Sequence, residues 1–260
     1  MFAAWLFLAF FGLALAGVPL LYALLGTTVG AILVAGLSHP LETIFLSFIG
    51  GVEPFILIAV PLFIFAGEIL SSGGVGRRIV DFARALLGFL PGGLGVVTVA
   101  SCLMFGGVSG SAIADTAAIG SLVIPAMVQR GYSRGFAAAL LAVAGTLALL
   151  MPLSIPFLVY AFISGVSMRQ LSMAGIAPAI IAGAALMAVC VWHGRRTGCD
   201  SGDGRLSARE VWKATKAAGP ALLMPLIIVG GIWSGVFTPT ESAAVAVVYG
   251  VVVSLVLYRD

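Results

Sequence analysis

Residues 105–115 read FGGVSGSAIAD, a run of small and polar residues within a chain that is otherwise strongly apolar. The run combines three glycines with the hydroxyls of Ser109 and Ser111, and it ends on the carboxylate of Asp115. Irregular backbone at membrane depth is tolerated where it is buried in protein or lines a cavity. An intramembrane carboxylate indicates a functional site. The run therefore predicts both a turn and a site at this point of the chain.

Composition places the chain among the polytopic membrane proteins. Of its 260 residues, 61% are hydrophobic and 9% are charged, and the mean hydropathy is +1.19. Soluble domains carry about 25% charged residues, so a soluble fold is excluded. The formal net charge of +3 comes from basic residues between apolar spans, and it reports topology rather than nucleic-acid binding.

Charged residues and Gly or Pro breaks divide the chain into predicted membrane segments, each span needing about 20 apolar residues. Residues 2–35 are too long for one span, and the Gly-Val-Pro run at 17–19 is expected to split them into two short helices. The remaining segments are spans at 54–70, 171–192, 222–236 and 242–258, an interfacial segment at 37–51, a surface helix at 79–89 and a polar loop at 197–216.

Residues 92–129 carry arginines on both flanks, among them Arg84 before the segment and Arg130 after it. The positive-inside rule places both flanks on the cytoplasmic side, so the segment must enter and leave on one face. A re-entrant hairpin with its tip at 107–111 satisfies this requirement, and so do two full spans joined by an outer loop. Counting residues favours the hairpin and leaves the second arrangement open.

Residues 137–167 form an apolar segment that prolines interrupt. Pro152 and Pro156 each remove a backbone donor and should kink or unwind a helix. Unwound carbonyls inside a bundle are potential cation ligands. Thr146 is therefore predicted as a cation contact, and Pro152 and Ser154 as contacts to substrate or to a second cation.

A weak internal repeat relates residues 17–34 to residues 238–257. Each copy follows a short apolar helix, contains a proline and continues into an Ala-, Gly- and Val-rich segment. The flanking charges indicate that the second copy crosses the membrane from outside to inside. If the two copies are inverted repeats, the first copy crosses from inside to outside. Inverted repeats that meet at broken helices are typical of secondary transporters.

Ser109, Gly110, Ser111 and Asp115 form the leading candidate site. Glycine permits the turn, and carbonyls and hydroxyls at a turn supply the oxygen ligands that a hard cation such as Na⁺ prefers. A helix-packing patch would also explain the small residues. The carboxylate favours a site, since placing it at membrane depth costs roughly 2.5–3.5 kcal/mol. Asp115 is also compatible with a plain helix start favoured by the dipole.

Two further motifs each have competing interpretations. The Gly-Val-Ser-Gly run at 107–110 is similar to that of a rhomboid-like serine protease, which needs a histidine base within reach. His39, in the interfacial segment, and His193, at a helix end, are not expected at mid-membrane depth, so the protease is a remote alternative. Thr238 and Thr240 read as a capped helix start, or as a substrate or second cation contact.

Six runs of the sequence together resemble the large membrane subunit, of DctM type, of TRAP (tripartite ATP-independent periplasmic) transporters. They are PLFIFAGE at 61–68, LPGGL at 90–94, GVSGSAIAD at 107–115, IPAM at 124–127, GY at 131–132 and FTPTESAA at 237–244. The resemblance implies an all-α, elevator-type secondary transporter of the bacterial inner membrane, and not an enzyme. It implies Na⁺ as coupling ion with no other cofactor, and an organic acid such as a C4-dicarboxylate as substrate. The implied partners are a small four-helix membrane subunit and a periplasmic substrate-binding protein.

On this resemblance residues 1–260 form one membrane domain, with scaffold-type helices at 1–90. The first hairpin and the broken helix of the transport region fall at 91–170, and the following helices with the start of a second repeat at 171–260. Residues 146–155 read TLALLMPLSI where the family usually has a glycine and two more prolines, so this helix should be less broken. The chain is expected to lack most of the second repeat and half of the site. The alternative function is a non-transporting fragment or membrane scaffold.

Overall fold

The computed structural model describes residues 2–35, 40–52, 55–72, 74–152, 154–200, 202 and 207–258. Every regular element within these ranges is helical, which confirms the predicted all-α class. Four helices are long and apolar enough to cross a membrane, and two bent helix pairs would raise the number to six. The predicted polytopic membrane protein is confirmed as well.

The described ranges contain twelve α-helices, two 3₁₀ segments and one π-helical turn. The α-helices are α1 Phe2–Leu15, α2 Leu20–Val34, α3 Pro40–Val52, α4 Ala59–Ser72, α5 Val75–Leu87, α6 Gly93–Ser109, α7 Ala112–Gln129, α8 Arg134–Thr146, α9 Ile155–Ser164, α10 Met168–Thr197, α11 Ala208–Ser234 and α12 Pro239–Val252. The 3₁₀ segments are Phe55–Ile58 and Leu147–Leu150, and the π-helical turn is Val253–Tyr258.

The chain divides into two compact units, and the first, Met1–Pro54, contains α1 to α3. Within it α1 packs against α2, and α2 packs against α3. The predicted break is confirmed, because α1 ends before Gly17, which has a φ of +84°, and α2 begins directly after Pro19. The predicted interfacial segment corresponds to α3, while His39 and Glu53 lie outside the described residues.

The second unit, Phe55–Asp260, holds the candidate site. In it α4 packs along α12, and α5 lies between α6 and α11. The predicted surface helix is α5, which exposes Asp81 and Arg84 and buries Ile79 and Ala83. This distribution is that of an amphipathic helix with one face on the bundle.

A helical hairpin made of α6 and α7 lies at the centre of the second unit. Gly110 and Ser111 alone connect the two helices. The 17 residues of α6 rise about 25 Å at 1.5 Å per residue, which separates the tip of the hairpin from its base. Along this length α6 packs against α5, α8 and α10.

The helix after the hairpin is interrupted, as the prolines predict. α8 ends at Thr146, the chain continues as a 3₁₀ segment through Leu150, and α9 begins at Ile155. The prediction of a polar loop over 197–216 is wrong for its second half, since α11 starts at Ala208 and includes Lys213. The charges there lie on the exposed side of a helix, and that is an ordinary place for them.

Candidate cation site at the hairpin tip

The turn at the hairpin tip is built by one glycine and one capping serine. Gly110 ends α6 with a φ of +60°, a left-handed conformation that glycine adopts without steric cost. Ser111 is extended and precedes α7, and its hydroxyl accepts a hydrogen bond from Ala114 N at 3.4 Å. This arrangement reverses the chain within two residues and brings the start of α7 back beside the end of α6.

Ser109 lies at the centre of the tip, with 3% of its surface exposed. Its hydroxyl donates to a carboxylate oxygen, Oδ1, of Asp115, and it accepts a hydrogen bond from Ser111 N at 3.1 Å. Three of the predicted cation ligands are therefore brought together in one hydrogen-bonded cluster. A fourth, Gly110, lies between them in the chain and is itself buried.

Asp115 is fully buried in the first turns of α7. Its second carboxylate oxygen, Oδ2, has no hydrogen-bond partner among the described residues. No Lys or Arg of the described chain lies within ion-pair distance of it either. Position near a helix N-terminus favours a negative charge, but that effect amounts to about 0.3–1 kcal/mol and falls short of the burial cost. The carboxylate therefore requires a positive charge or a proton.

Close packing surrounds the tip on two sides. On α4, a Cβ placed on Gly67 would lie 3.3 Å from the Cα of Ser109. On α6, a Cβ placed on Gly106 would lie 2.6 Å from the Cα of Ala148 and 3.0 Å from Asp115 Oδ2. The 3₁₀ segment of the broken helix therefore passes next to the buried carboxylate. Sequence reasoning missed these contacts, since a single glycine carries no signal for its neighbour in space.

Thr146 is not brought into the cluster. Its side chain is exposed, and its hydroxyl donates to Val143 O at 2.7 Å within its own helix. The neighbouring Gly145 makes the contact with the hairpin instead, because a Cβ on it would lie 2.2 Å from Thr116 Oγ1. The structure thus brings the end of α8 against the start of α7 without directing the threonine hydroxyl toward Asp115.

The predicted contacts in the helix break have different environments. Pro152 accepts a hydrogen bond on its carbonyl oxygen from Ser172 Oγ of α10 at 3.0 Å. Ser154 is fully buried, and its hydroxyl has no partner among the described residues. Ser154 is therefore the second unpaired buried oxygen in the predicted set.

Thr238 and Thr240 are engaged at the start of α12. Thr238 and Glu241 form a capping box, in which Glu241 N donates to Thr238 Oγ1 at 3.3 Å and Thr238 N donates to Glu241 Oε2 at 2.8 Å. Thr240 Oγ1 donates to Phe55 O at 3.2 Å. No described contact joins either residue to the hairpin tip. The Thr238 hydroxyl is thus accounted for as a helix cap, and the Thr240 hydroxyl as a bond to the 3₁₀ segment at Phe55.

An apolar cavity of about 480 Å³ lies beside the hairpin, between α6, α10, α11 and the helix break. Gly107, Met151 and Pro152 line it next to the tip, and Trp233 lines it from α11. Among the described residues that line the cavity, none carries a charge. These residues offer no charged partner for an anionic ligand.

The described surroundings of Ser109 give no support to the protease alternative. His193 stacks on Phe136 with ring centroids 3.8 Å apart. It belongs to the part of α10 that contacts Gly92 at the hairpin base, about 25 Å along α6 from Ser109. Ser109 instead donates to a carboxylate, and His39 lies outside the described residues. Among the described residues, Ser109 therefore has no histidine in reach to act as the base that hydrolysis needs.

Comparison with known proteins assigns the chain a family over nearly its whole length. Residues 7–260 match the family described as the tripartite ATP-independent periplasmic transporter, DctM component. The 2,3-diketo-L-gulonate TRAP transporter large permease protein of Escherichia coli K12 is 40% identical over 245 residues, covering 94% of this chain and 57% of that protein. The C4-dicarboxylate TRAP transporter large permease protein of Vibrio cholerae is 39% identical, covering 100% of this chain and 57% of that protein.

A third relative is the isethionate TRAP transporter permease protein of Oleidesulfovibrio alaskensis. It is 38% identical over 244 residues, which cover 94% of this chain and 38% of that protein. The chain therefore spans about half the length of the curated relatives it matches.

Proposed function

The chain belongs to the DctM component family of tripartite ATP-independent periplasmic (TRAP) transporters, and from this membership we propose that it is the permease component of a Na⁺-coupled importer of an organic acid. It is a bacterial inner-membrane protein of a family of transporters and not of enzymes. TRAP large permeases work with a small membrane subunit and a periplasmic binding protein. We propose a four-helix small subunit and a substrate-binding protein as the partners of this chain.

The observation that carries the proposal is the buried pair of Ser109 and Asp115 at the hairpin tip. Among the described residues, one oxygen of this carboxylate has no hydrogen-bond partner and no basic side chain pairs with it, so its charge must be balanced for it to be stable at depth. Na⁺ balances it and accepts the hydroxyl and backbone oxygens that a turn offers as ligands. We place the coupling ion at Ser109, Gly110, Ser111 and Asp115, at the tip of a re-entrant hairpin.

The proposed substrate class follows from the relatives. The three are named for 2,3-diketo-L-gulonate, a C4-dicarboxylate and isethionate, which share an acidic group and differ in the rest of the molecule. An organic acid is therefore the class we propose, with a C4-dicarboxylate as one member. The described lining of the cavity beside the hairpin is apolar, so we propose that residues outside this cavity bind the acid group of the substrate.

Five residues remain predictions, and the structure connects none of them to the tip cluster by a described hydrogen bond. Thr146 remains a predicted cation contact, and the predicted contacts to substrate or to a second cation are Pro152, Ser154, Thr238 and Thr240. Ser154 has the best support of the five, since its hydroxyl is buried and unpaired. We also propose the elevator mechanism, with residues 1–90 as scaffold and 91–170 as the moving hairpin and broken helix.

Uptake into proteoliposomes tests the proposal. The chain is reconstituted with its small subunit, and the substrate-binding protein is supplied outside, with an inward Na⁺ gradient and a labelled organic acid. The double variant Ser109→Ala, Ser111→Ala removes two hydroxyl ligands and should lower uptake at limiting Na⁺ by about tenfold or more. Ser121→Ala is the matched control, because Ser121 is exposed on α7 and its described hydrogen bond is to Ala118 O in the same helix.

Uptake that depends on the Na⁺ gradient but is unchanged in the double variant would contradict the assigned ion site. Uptake that follows a proton gradient with no Na⁺ requirement would show that Asp115 is balanced by a proton. A reconstituted wild-type chain that moves none of the organic acids would favour the scaffold alternative.

A further inference from the structure

The carboxylate of Asp200, beyond the end of α10, bonds to both ends of the hairpin at its base. Asp200 Oδ2 accepts a hydrogen bond from Leu94 N, in the first turn of α6, at 2.6 Å. Its other oxygen, Oδ1, accepts from Arg130 Nη1, at the end of α7, at 2.7 Å. The Asp200 side chain is 1% exposed, so the bond to Leu94 N is buried, whereas the Arg130 side chain is 27% exposed and its bond is partly buried. One residue thus joins the two ends of the hairpin, 106 and 70 positions away from it.

Two more bonds converge on the same residue. The backbone carbonyl of Asp200 accepts from Gly92 N at 2.9 Å, and Tyr132 OH donates to Asp200 Oδ2 at 3.4 Å. Burial, reinforced by the nearby Asp200 charge, raises the pKa of Tyr132 above its ordinary value, so the phenol keeps the proton that it donates. The carboxylate also faces the N-terminus of α6, where the helix dipole favours a negative charge.

The backbone of Asp200 is itself unusual. Its φ of +53° is the only positive φ of a non-glycine residue in the described chain. Such a conformation costs about 1 kcal/mol or more, and it persists where the surrounding contacts hold it in place. Here it directs the side chain back over the hairpin base while the carbonyl meets Gly92.

The backbones of α6 and α10 also approach each other closely at the same place. A Cβ on Gly92 would lie 2.3 Å from Cys190 O, and a Cβ on Gly194 would lie 2.4 Å from Gly92 N. The base of the hairpin and the end of α10 therefore touch through glycine backbones and are closed by the Asp200 carboxylate.

We propose that Asp200 is a positioning residue that joins the hairpin α6–α7 to the end of α10 as one rigid body and thereby sets the position of the hairpin tip. The carboxylate acts through the two helices, about 25 Å from the tip, and touches no proposed ligand. Removing it leaves Leu94 N without its acceptor and Arg130 without this partner, so the base loosens at both ends. The tip then loses its fixed position against Gly67 and Ala148.

Amide hydrogen exchange on the whole chain in lipid nanodiscs tests this inference without any transport assay. In Asp200→Ala, we expect exchange to rise about fivefold or more in peptides over 92–96 and also in peptides over the tip at 109–115. Glu210→Gln removes an exposed acid of α11 and should change neither. Should Asp200→Ala fail to fold, Asp200→Asn and Arg130→Gln each remove one side of the ion pair and should show the same pattern more weakly.

Faster exchange confined to 92–96, with the tip unchanged, would make Asp200 a local helix cap and overturn the inference. A second readout rests on the proposed function: the Na⁺ concentration for half-maximal uptake should rise about fivefold in Asp200→Asn, with the amount of folded protein unchanged. Failure of the proposed function and failure of this inference can be told apart. If the wild-type chain shows no uptake, the proposed function fails, but the hydrogen-exchange result still tests the role of Asp200.

Discussion

Gly106 of α6 lies directly against Ala148 in the 3₁₀ segment of the broken helix. A Cβ on Gly106 would fall 2.6 Å from both the Cα and the Cβ of Ala148, and 3.0 Å from Asp115 Oδ2. A Cβ at position 106 would overlap Ala148, so this close approach requires a residue without a side chain. It brings the helix break next to the buried carboxylate.

Gly106→Ala should therefore destabilise the protein, because the backbone of Ala148 cannot shift without moving the whole segment. We expect a loss of about 1–3 kcal/mol in the free energy of unfolding, despite the gain in helix propensity. Thermal unfolding in detergent measures it. Gly230→Ala on α11 is the control, since nothing lies within 4 Å of its added Cβ. Ala148→Gly in the Gly106→Ala background should recover part of the loss, and equal stability of all four proteins would contradict the contact.

Na⁺ should stabilise the folded chain through Asp115. Binding to the folded state alone adds about 2.7 kcal/mol at a ligand concentration of 100 times Kd, so the midpoint of unfolding should rise when Na⁺ replaces K⁺ at constant ionic strength. Asp115→Asn removes the charge and should abolish this rise. Glu68→Gln, at an exposed position of α4, should retain it. A Na⁺-dependent shift of wild-type size in Asp115→Asn would exclude this carboxylate as a ligand.

Tyr258 is inserted into the hydrogen-bond ladder of α11 beside Pro220. Its hydroxyl accepts from Ala221 N at 3.3 Å and donates to Ala217 O at 2.9 Å, the two atoms that an undistorted helix would bond directly. Tyr258→Phe keeps the ring over which Arg78 lies at 3.7 Å and removes only the bridge.

We expect Tyr258→Phe to cost about 1–3 kcal/mol in the free energy of unfolding, because the two hydrogen bonds of the Tyr258 hydroxyl are lost. Tyr249→Phe, which loses one bond to Pro220 O, should cost about 1 kcal/mol. Tyr160→Phe is the control, since its side chain is 58% exposed. Chemical unfolding curves of the three variants decide the order, and a Tyr258→Phe protein as stable as the control would disprove the bridge.

Thr238 should behave as a helix cap in every assay. Thr238→Ala is expected to cost about 0.5–2 kcal/mol of stability, and Thr238→Ser, which keeps the hydroxyl, should retain most of it. The Na⁺-dependent stabilisation of the folded chain should be the same in both variants. A selective loss of the Na⁺ response in Thr238→Ala, with stability intact, would instead restore the cation contact predicted from the sequence.

Part of the candidate site was predictable because its members are close in the chain. Ser109 and Asp115 are six positions apart across a turn that needs Gly110, so any tight reversal brings them together. Thr146 was predicted by the same logic of a polar residue at a helix break. The Thr146 hydroxyl, however, donates to the Val143 carbonyl within its own helix. No sequence pattern distinguishes a hydroxyl that is bonded locally in this way from one that is available to a ligand.

Asp200 was invisible to sequence reasoning for a physical reason. Its neighbours, Gly198, Gly202 and the charged residues beyond, have the composition of a surface loop. The Asp200 carboxylate reaches Leu94 N and Arg130 only because the end of α10 lies against the hairpin base. Lys213 is a second example. The polar residues around it predicted a loop, but they form the exposed side of α11.

The sequence by itself predicted the membrane class, the all-α architecture and the place at which the chain turns between α6 and α7. These follow from hydropathy, from the flanking arginines and from glycine and proline, which act over a few residues at a time. The tertiary structure decided which distant groups meet: Gly106 with Ala148, and Asp200 with both ends of the hairpin. Such contacts depend on how whole helices pack against one another. Helix packing is set by the shapes of complete helix surfaces, which a short stretch of sequence does not reveal.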